Sequence, residues 1–260
     1  MKTGKKLILI SNDDGYAAKG LSFLVDVARC FGNVIVVAPD GGRSGASLSI
    51  SSANPVCIKR VRVDDGDGAR GSLEVWSCTG TPDDCVKMAF ENVCPRTPDL
   101  VLGGVNHGDN CAVNAHYSGT VGVAIEGCIK KVPSVAFSSG FTDEDADFSG
   151  MRPWVEKIVG HVLAKGLSEG TCLNVNCGKF DSFKGIRLCR MGMGEWREEW
   201  QKATHPHGWN YYWIAGYYEA YDGDDHATDT WAYNNGYVAV TPIQLDLTAY
   251  SAMSELSDLV

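Results

Sequence analysis

The stretch LILISNDDGY, Leu7 to Tyr16, drives four apolar residues straight into Asn12-Asp13-Asp14-Gly15. A short unbroken apolar run bounded by turn residues reads as a strand buried on both faces, the kind found in parallel sheets. Two adjacent carboxylates at its end are costly to bury without a partner, so they face solvent, a cation or a substrate. Taken alone, such a pair also fits a helix cap or a solvated turn. The rest of the chain has to decide between them.

Outward from that strand, the pattern alternates. Leu21, Leu24, Val25 and Ala28 recur at helical spacing, and VIVVA (Val34–Ala38) gives a second buried strand, stopped by Pro39-Asp40-Gly41-Gly42. A polar loop of small residues, GGRSGASLSISS, follows. Pro55–Val63 and Leu73–Cys78 read as strands flanking the turn-rich DDGDGARG. Thr81-Pro82-Asp83-Asp84 is a helix start, with a Thr cap, Pro at the first helical position and acid in the first turn, ahead of the stripe Val86, Ala89, Phe90, Val93. Asp99–Asn106 is another buried strand; Val121, Ala124, Ile125 and Cys128 mark one helical face; Pro133–Phe137 is a further strand and Trp154–Lys165 a further helix. Strands alternating with helices over short connections predict an α/β fold built on a doubly wound, mostly parallel sheet.

The chain has 260 residues, 44% hydrophobic and 21% charged, which is room for one large α/β domain with an extension. A net charge of −9 without any run of Lys or Arg argues against a grip on polymeric nucleic acid. A small anionic substrate is compatible with that charge if a cation or a cluster of donors offsets it locally. No segment reaches the length of a membrane span, and the apolar run in MKTGKKLILIS is too short for the core of a signal peptide, so a cytoplasmic protein is expected. The ten cysteines form no C-x-x-C pair and mostly sit among apolar neighbours; they read as reduced core residues rather than a zinc site or disulfide set.

Composition changes near Met191. The segment that follows holds five of the seven Trp, with Tyr, Gly and Asp between them, and reads as β-hairpins rather than another βα unit. The expected organisation is therefore one domain over 1–260, with a core over about 1–190 and a C-terminal β-hairpin extension over about 191–260 that serves oligomerisation. Edge strands packed on the main domain are the alternative. Asp222, Asp224 and Asp225 read as a solvated acidic turn.

In open parallel sheets, ligands bind beyond the carboxyl ends of the strands. Three strands here end in polar loops: Asn12 to Gly15, Asp40 to Ser49, and Asn106 to Thr120. Carboxylates, amides and hydroxyls dominate them, with His107 and His116 in the last. Such an oxygen-rich set suits a hard cation such as Mg²⁺, Mn²⁺ or Ca²⁺. Ser118, Gly119 and Thr120 stand where a helical stripe begins, which is either an anion site or an ordinary N-cap.

Together, ISNDDGYAAKG, VVAPDGGRSGASLSIS, CTGTPDDCVKMA, GGVNHGDN and YSGTVGVAIEG closely resemble the SurE family of metal-dependent nucleotidases, and HGWNYYWIAG and TDTWAYNNGYVAVTPI resemble its C-terminal part. The resemblance covers almost the whole chain in the family's order. It implies a Rossmann-like fold with a C-terminal extension exchanged between subunits, giving homodimers or homotetramers. It also implies hydrolysis of nucleoside 5′- and 3′-monophosphates, with some members acting on short polyphosphate. One divalent ion per subunit would be held by Asp13, Asp14, Ser44 and Asn106, with Asp13 and Asp14 as the catalytic pair. The family's phosphate-binding positions fall on Asn110, Ser118, Gly119 and Thr120. One departure is visible: CAVNAH follows Asn110, where the family usually has a Gly soon after that Asn, so this loop and the substrate preference it sets can differ.

The residues also bear on two rival readings. A haloacid-dehalogenase-like phosphatase separates its two acids by one residue, whereas Asp13 and Asp14 are adjacent. A nucleotide- or metal-binding regulatory module on the same fold has no need of a complete oxygen ligand set beside a phosphate-facing helix start.

Overall fold

The computed structural model describes residues 5–142 and 146–259; the first residues of the charged N-terminal stretch lie outside that range. Its centre is β1 (Lys6–Ser11), paired in parallel with β2 (Gly32–Pro39) on one side and β5 (Leu100–His107) on the other. Ile8 and Ile10 face one layer, packing with Leu21 and Leu24 of α1 (Lys19–Ala28) and Val155 and Val159 of α4 (Arg152–Lys165). Leu7 and Leu9 face the other, with Cys85 and Val86 of α2 (Pro82–Met88) and Val123 of α3 (Gly119–Ile129). Helices therefore cover both faces, which is why the strand's sequence is continuously apolar rather than alternating.

With β4 (Leu73–Cys78), β6 (Ser134–Ser139) and β7 (Thr171–Cys177), the parallel strands run β4-β2-β1-β5-β6-β7, a doubly wound order in which the winding reverses between β1 and β5. An antiparallel strand, β3 (Ile58–Asp64), edges the sheet beside β4. The start of α2 is a capping box: Thr81 Oγ1 accepts from the Asp84 N–H at 3.1 Å, and Asp84 Oδ2 accepts from the Thr81 N–H at 2.9 Å. All ten cysteines are free thiols, seven of them buried.

The C-terminal third departs from the expected division at residue 190. After β8 (Ile186–Leu188) the chain leaves the sheet as a two-tier antiparallel arm, β9 (Gly194–Arg197) pairing with β12 (Tyr217–Ala220) and β10 (Trp200–Thr204) with β11 (Asn210–Ile214). It then returns. Following α5 (Asp229–Asn234), β13 (Val238–Gln244) enters the main sheet between β7 and β8, and Val238, Ala239 and Val240 are buried. The arm is thus an excursion over about 191–227, and part of what reads as extension is core. The sheet tolerates Pro242 because β8 pairs only with Val238–Val240, leaving that edge free where the Pro lacks its N–H. A last short helix, α6 (Tyr250–Glu255), is exposed. The acidic turn is likewise not simply solvated: Arg190 binds Asp222 at 2.9 Å and Asp225 at 2.7 Å, closing the base of the arm.

Candidate active site

Because β2, β1 and β5 are neighbours, their C-terminal loops meet at the reversal of winding. Asn12 builds the first loop from within: its buried amide donates to the Gly15 carbonyl at 3.1 Å and accepts from the Gly15 N–H at 3.2 Å. Gly15 has φ of +104°, and a Cβ there would lie 3.3 Å from Gly41 and 3.4 Å from the Pro39 carbonyl, so the turn calls for glycine. The Tyr16 N–H donates to Pro39 O at 2.9 Å and the Arg43 N–H to Asp13 O at 2.7 Å, which stitches the β1 and β2 loops together.

Asp13 is 5% exposed. Burial pushes its carboxyl up to about 6; a hydrogen bond from Thr120 partly opposes that, and the charge of Asp14 adds to it. Asp14 is also raised by burial, opposed by His107, whose N–H lies 3.4 Å and whose Nδ1 lies 4.0 Å from Asp14 Oδ2. Among the described residues, no Lys or Arg forms an ion pair with either acid. Holding Asp13 ionised at neutral pH then costs about 3 kcal/mol, from the displacement of its pKa. A cation beside the pair would offset that cost. Among the described residues, no three His, Cys, Asp or Glu side chains are placed to hold a metal ion together, so such an ion would also need neutral oxygen donors. Ser44 and Asn106 line the same cleft as Asp13 and supply a hydroxyl and an amide. This donor chemistry fits a hard divalent ion.

The cleft has a volume of about 690 Å³ and also takes in Asn110 and Ser118. Asn110 is pinned by its neighbours in the sheet. Its N–H donates to Asn176 Oδ1 at 2.7 Å, its carbonyl accepts from Asn174 Nδ2 at 2.7 Å, and its own Nδ2 donates to Ser138 Oγ at 2.7 Å. One amide N–H and the amide oxygen are left for a ligand. Ser118 caps α3, accepting from the Val121 N–H at 3.0 Å, and keeps its own O–H to donate. Gly119 sits tight against the first loop, where a Cβ would lie 3.0 Å from Asp13 Cβ and 2.8 Å from Pro82. Thr120, named above among the phosphate-binding positions, is fully buried and its hydroxyl donates to Asp13 Oδ1 at 2.6 Å. The N-terminus of α3 therefore braces Asp13, its dipole favouring the ionised acid.

Two residues of the site escape a reading of spacing. His107 lines the cleft and stacks on Phe148 with ring centroids 5.5 Å apart, and its buried Nε2 has no partner among the described residues. Its place two residues beyond the end of an apolar run is the signal that could have flagged it. Trp196, from β9, reaches the same cleft across the fold, and the sequence carries no sign of that.

Fold and site together define a Rossmann-like α/β protein with an acid-floored, amide- and hydroxyl-lined cleft at the reversal point of its sheet. The sequence profile described as Survival protein SurE matches residues 8–198. The chain belongs to the SurE family. It is 50% identical over 258 residues to the protein named 5′-nucleotidase SurE of Phocaeicola vulgatus, covering 99% of this chain and 98% of that one. It is 44% identical over 257 residues to the 5′-nucleotidase SurE of Bacteroides thetaiotaomicron, covering 99% and 97%. The crystal structure of the SurE protein from Aquifex aeolicus superposes with a TM-score of 0.80 at 37% identity, over 97% of this chain and 99% of that chain.

Proposed function

We propose that this chain is a divalent-metal-dependent phosphomonoesterase that releases phosphate from nucleoside 5′-monophosphates, and also from 3′-monophosphates. The observation that carries the reading is the pair of desolvated carboxylates, Asp13 and Asp14, which form no ion pair with Lys or Arg among the described residues, Asp13 lining a cleft beside the neutral oxygen donors Ser44 and Asn106. Asp13, Asp14, Ser44 and Asn106 would hold one Mg²⁺ or Mn²⁺ per subunit, with Ca²⁺ a further occupant. Once bound, the ion supplies Lewis-acid polarisation of the phosphoryl oxygens. Thr120 fixes Asp13 through its hydroxyl, and the His107 N–H steadies Asp14. The Ser118 O–H and the free amide N–H of Asn110 are donors positioned to stabilise charge on a phosphoryl group in the cleft. The exposed aromatic arm supports a homodimer or homotetramer, and ten unpaired thiols suit a reducing, cytoplasmic setting. No helix among the described residues is long and apolar enough to cross a membrane.

Phosphate release from AMP and 3′-AMP, assayed after chelation and after adding back Mg²⁺ or Mn²⁺, tests this reading. Release should vanish on chelation and return with the ion. Full activity in the metal-stripped protein, or none with any ion, would overturn it.

A further inference from the structure

The cleft is chemically divided. The strand-end loops supply its amides, its hydroxyls and the carboxylates of Asp13 and Asp109, while the arm contributes Trp196, Ile214 and Ala215 with a single carboxylate, Glu199. A nucleoside monophosphate has the same division, an anion at one end and a flat apolar ring system at the other. Trp196 is also held in place more firmly than a half-buried residue on an arm requires. Its Nε1–H donates to Asn114 Oδ1 at 2.8 Å. The Asn114 Nδ2 in turn donates to Asp109 Oδ1 at 3.2 Å, and that same carboxylate oxygen accepts from the Cys111 N–H at 3.1 Å. Asn114 can satisfy both partners in only one orientation of its amide, so the chain from Asp109 to Trp196 has a fixed direction. Tyr218 holds the indole from β12 in an edge-to-face contact, with centroids 6.4 Å apart and planes at 64°. Tyr117 also lines the cleft, but it is 59% exposed and its hydroxyl has no hydrogen bond among the described residues.

We propose that Trp196 is the stacking surface for the nucleobase of the substrate, and that Asn114 is the positioning residue that sets the plane of its indole. The proposal rests on the nucleotidase reading and deepens it by assigning the base end of the cleft. Stacking on an aromatic face is tolerant of base identity, since every base has a π-face, and a purine covers more of an indole than a pyrimidine does. The predicted substrate class is therefore nucleoside monophosphates broadly, with purines bound more tightly. The loop that departs from the family's usual pattern after Asn110 is the loop that carries Asn114.

The test compares AMP with ribose 5-phosphate, which keeps the phosphate and sugar and lacks the base, in wild type and in Trp196→Leu, Trp196→Phe, Asn114→Ala and Tyr117→Ala, all with saturating Mn²⁺. Trp196→Leu should raise KM for AMP about tenfold or more and confine the fall in kcat/KM to the substrate with a base. Trp196→Phe should recover most of the loss, and Asn114→Ala should show a smaller loss of the same kind. Adenosine should compete with AMP in wild type and lose that ability in Trp196→Leu. An unchanged ratio of AMP to ribose 5-phosphate efficiency in both Trp196→Leu and Asn114→Ala overturns the proposal, as does finding the base-specific loss in Tyr117→Ala instead. If Trp196→Leu does not fold, Asn114→Ala and Trp196→Phe carry the comparison. If neither ester is cleaved by folded wild type with any ion, the nucleotidase reading fails on its own. Equilibrium dialysis of adenosine against wild type and the variants then decides the base contact separately.

Discussion

Replacing Asp83 with Asn should stabilise the protein at neutral and alkaline pH and leave it unchanged near pH 4. Asp83 stands at the second position of α2, 1% exposed, and its Oδ2 has no hydrogen-bond partner among the described residues. Burial, followed by the charge of Glu126, pushes its carboxyl from 3.8 up to about 7. Glu126 is itself buried on α3, with Lys87 at 2.8 Å from its carboxylate. The sign follows from proton linkage. Between pH 4 and pH 7 the folded chain keeps a proton on Asp83 that the unfolded chain has lost, so stability falls as pH rises through that window. A displacement of this size corresponds to a loss of at most about 4 kcal/mol by pH 8. An amide is neutral at every pH, so Asp83→Asn removes this loss and also offers an N–H toward the acceptor oxygens of Glu126. Urea denaturation of both proteins at pH 4, 5, 6, 7 and 8 isolates the residue, because every other titrating group is common to the two. The variant should match wild type near pH 4 and gain progressively above it, by up to about 4 kcal/mol at pH 8. For a chain of this size that is about 2–4 °C in Tm per kcal/mol. Parallel pH profiles, with the variant equally destabilised throughout, would refute the reasoning.

Thr120→Val removes the donor to Asp13 at nearly constant volume, so Mn²⁺ affinity measured by calorimetry should fall about tenfold or more, while Thr120→Ser keeps it. Unchanged affinity in Thr120→Val would show that the hydroxyl does not brace the acid. Asp14→Asn should lose most phosphate release with little change in thermal stability; a large drop in Tm would instead mark Asp14 as structural. Trp200, Tyr212, Trp213 and Ile214 are more than half exposed on the arm, and such aromatic residues are enriched at the cores of interfaces. Light scattering should find a dimer or tetramer at micromolar concentration, and replacing 201–213 with a short Gly-Ser turn should dissociate it; a clean monomer in the wild-type protein would count against an interface.

The core of the sheet was legible because burial on both faces leaves an unmistakable local mark. LILIS, VIVVA and DLVLGGVN are continuous apolar runs, and each becomes a strand whose C-terminal loop carries polar residues, so locating the cleft required only that the strands lie side by side. The start of α2 was equally readable, since a capping box is complete within four residues. The return of β13 was harder to see, because YVAVTPI follows a segment whose aromatic, turn-rich composition belongs to the arm, and composition averaged over the tail hides one core strand.

What local sequence could not supply is the choice of partner. A Thr at a helix start has a hydroxyl that serves a phosphate, a cap or a neighbouring carboxylate equally well. Asp13, 107 residues away, takes it only because Gly119 lets α3 approach the β1 loop so closely. The same holds for Trp196 and Asn114, 82 residues apart and joined through one amide. Each residue alone reads as a surface aromatic or a turn amide. In both cases the information lies in the distance between elements rather than in any motif. The polar stretches at the strand ends mark where the cleft is, and the long-range hydrogen bonds determine which of its groups face a ligand and which hold the others still.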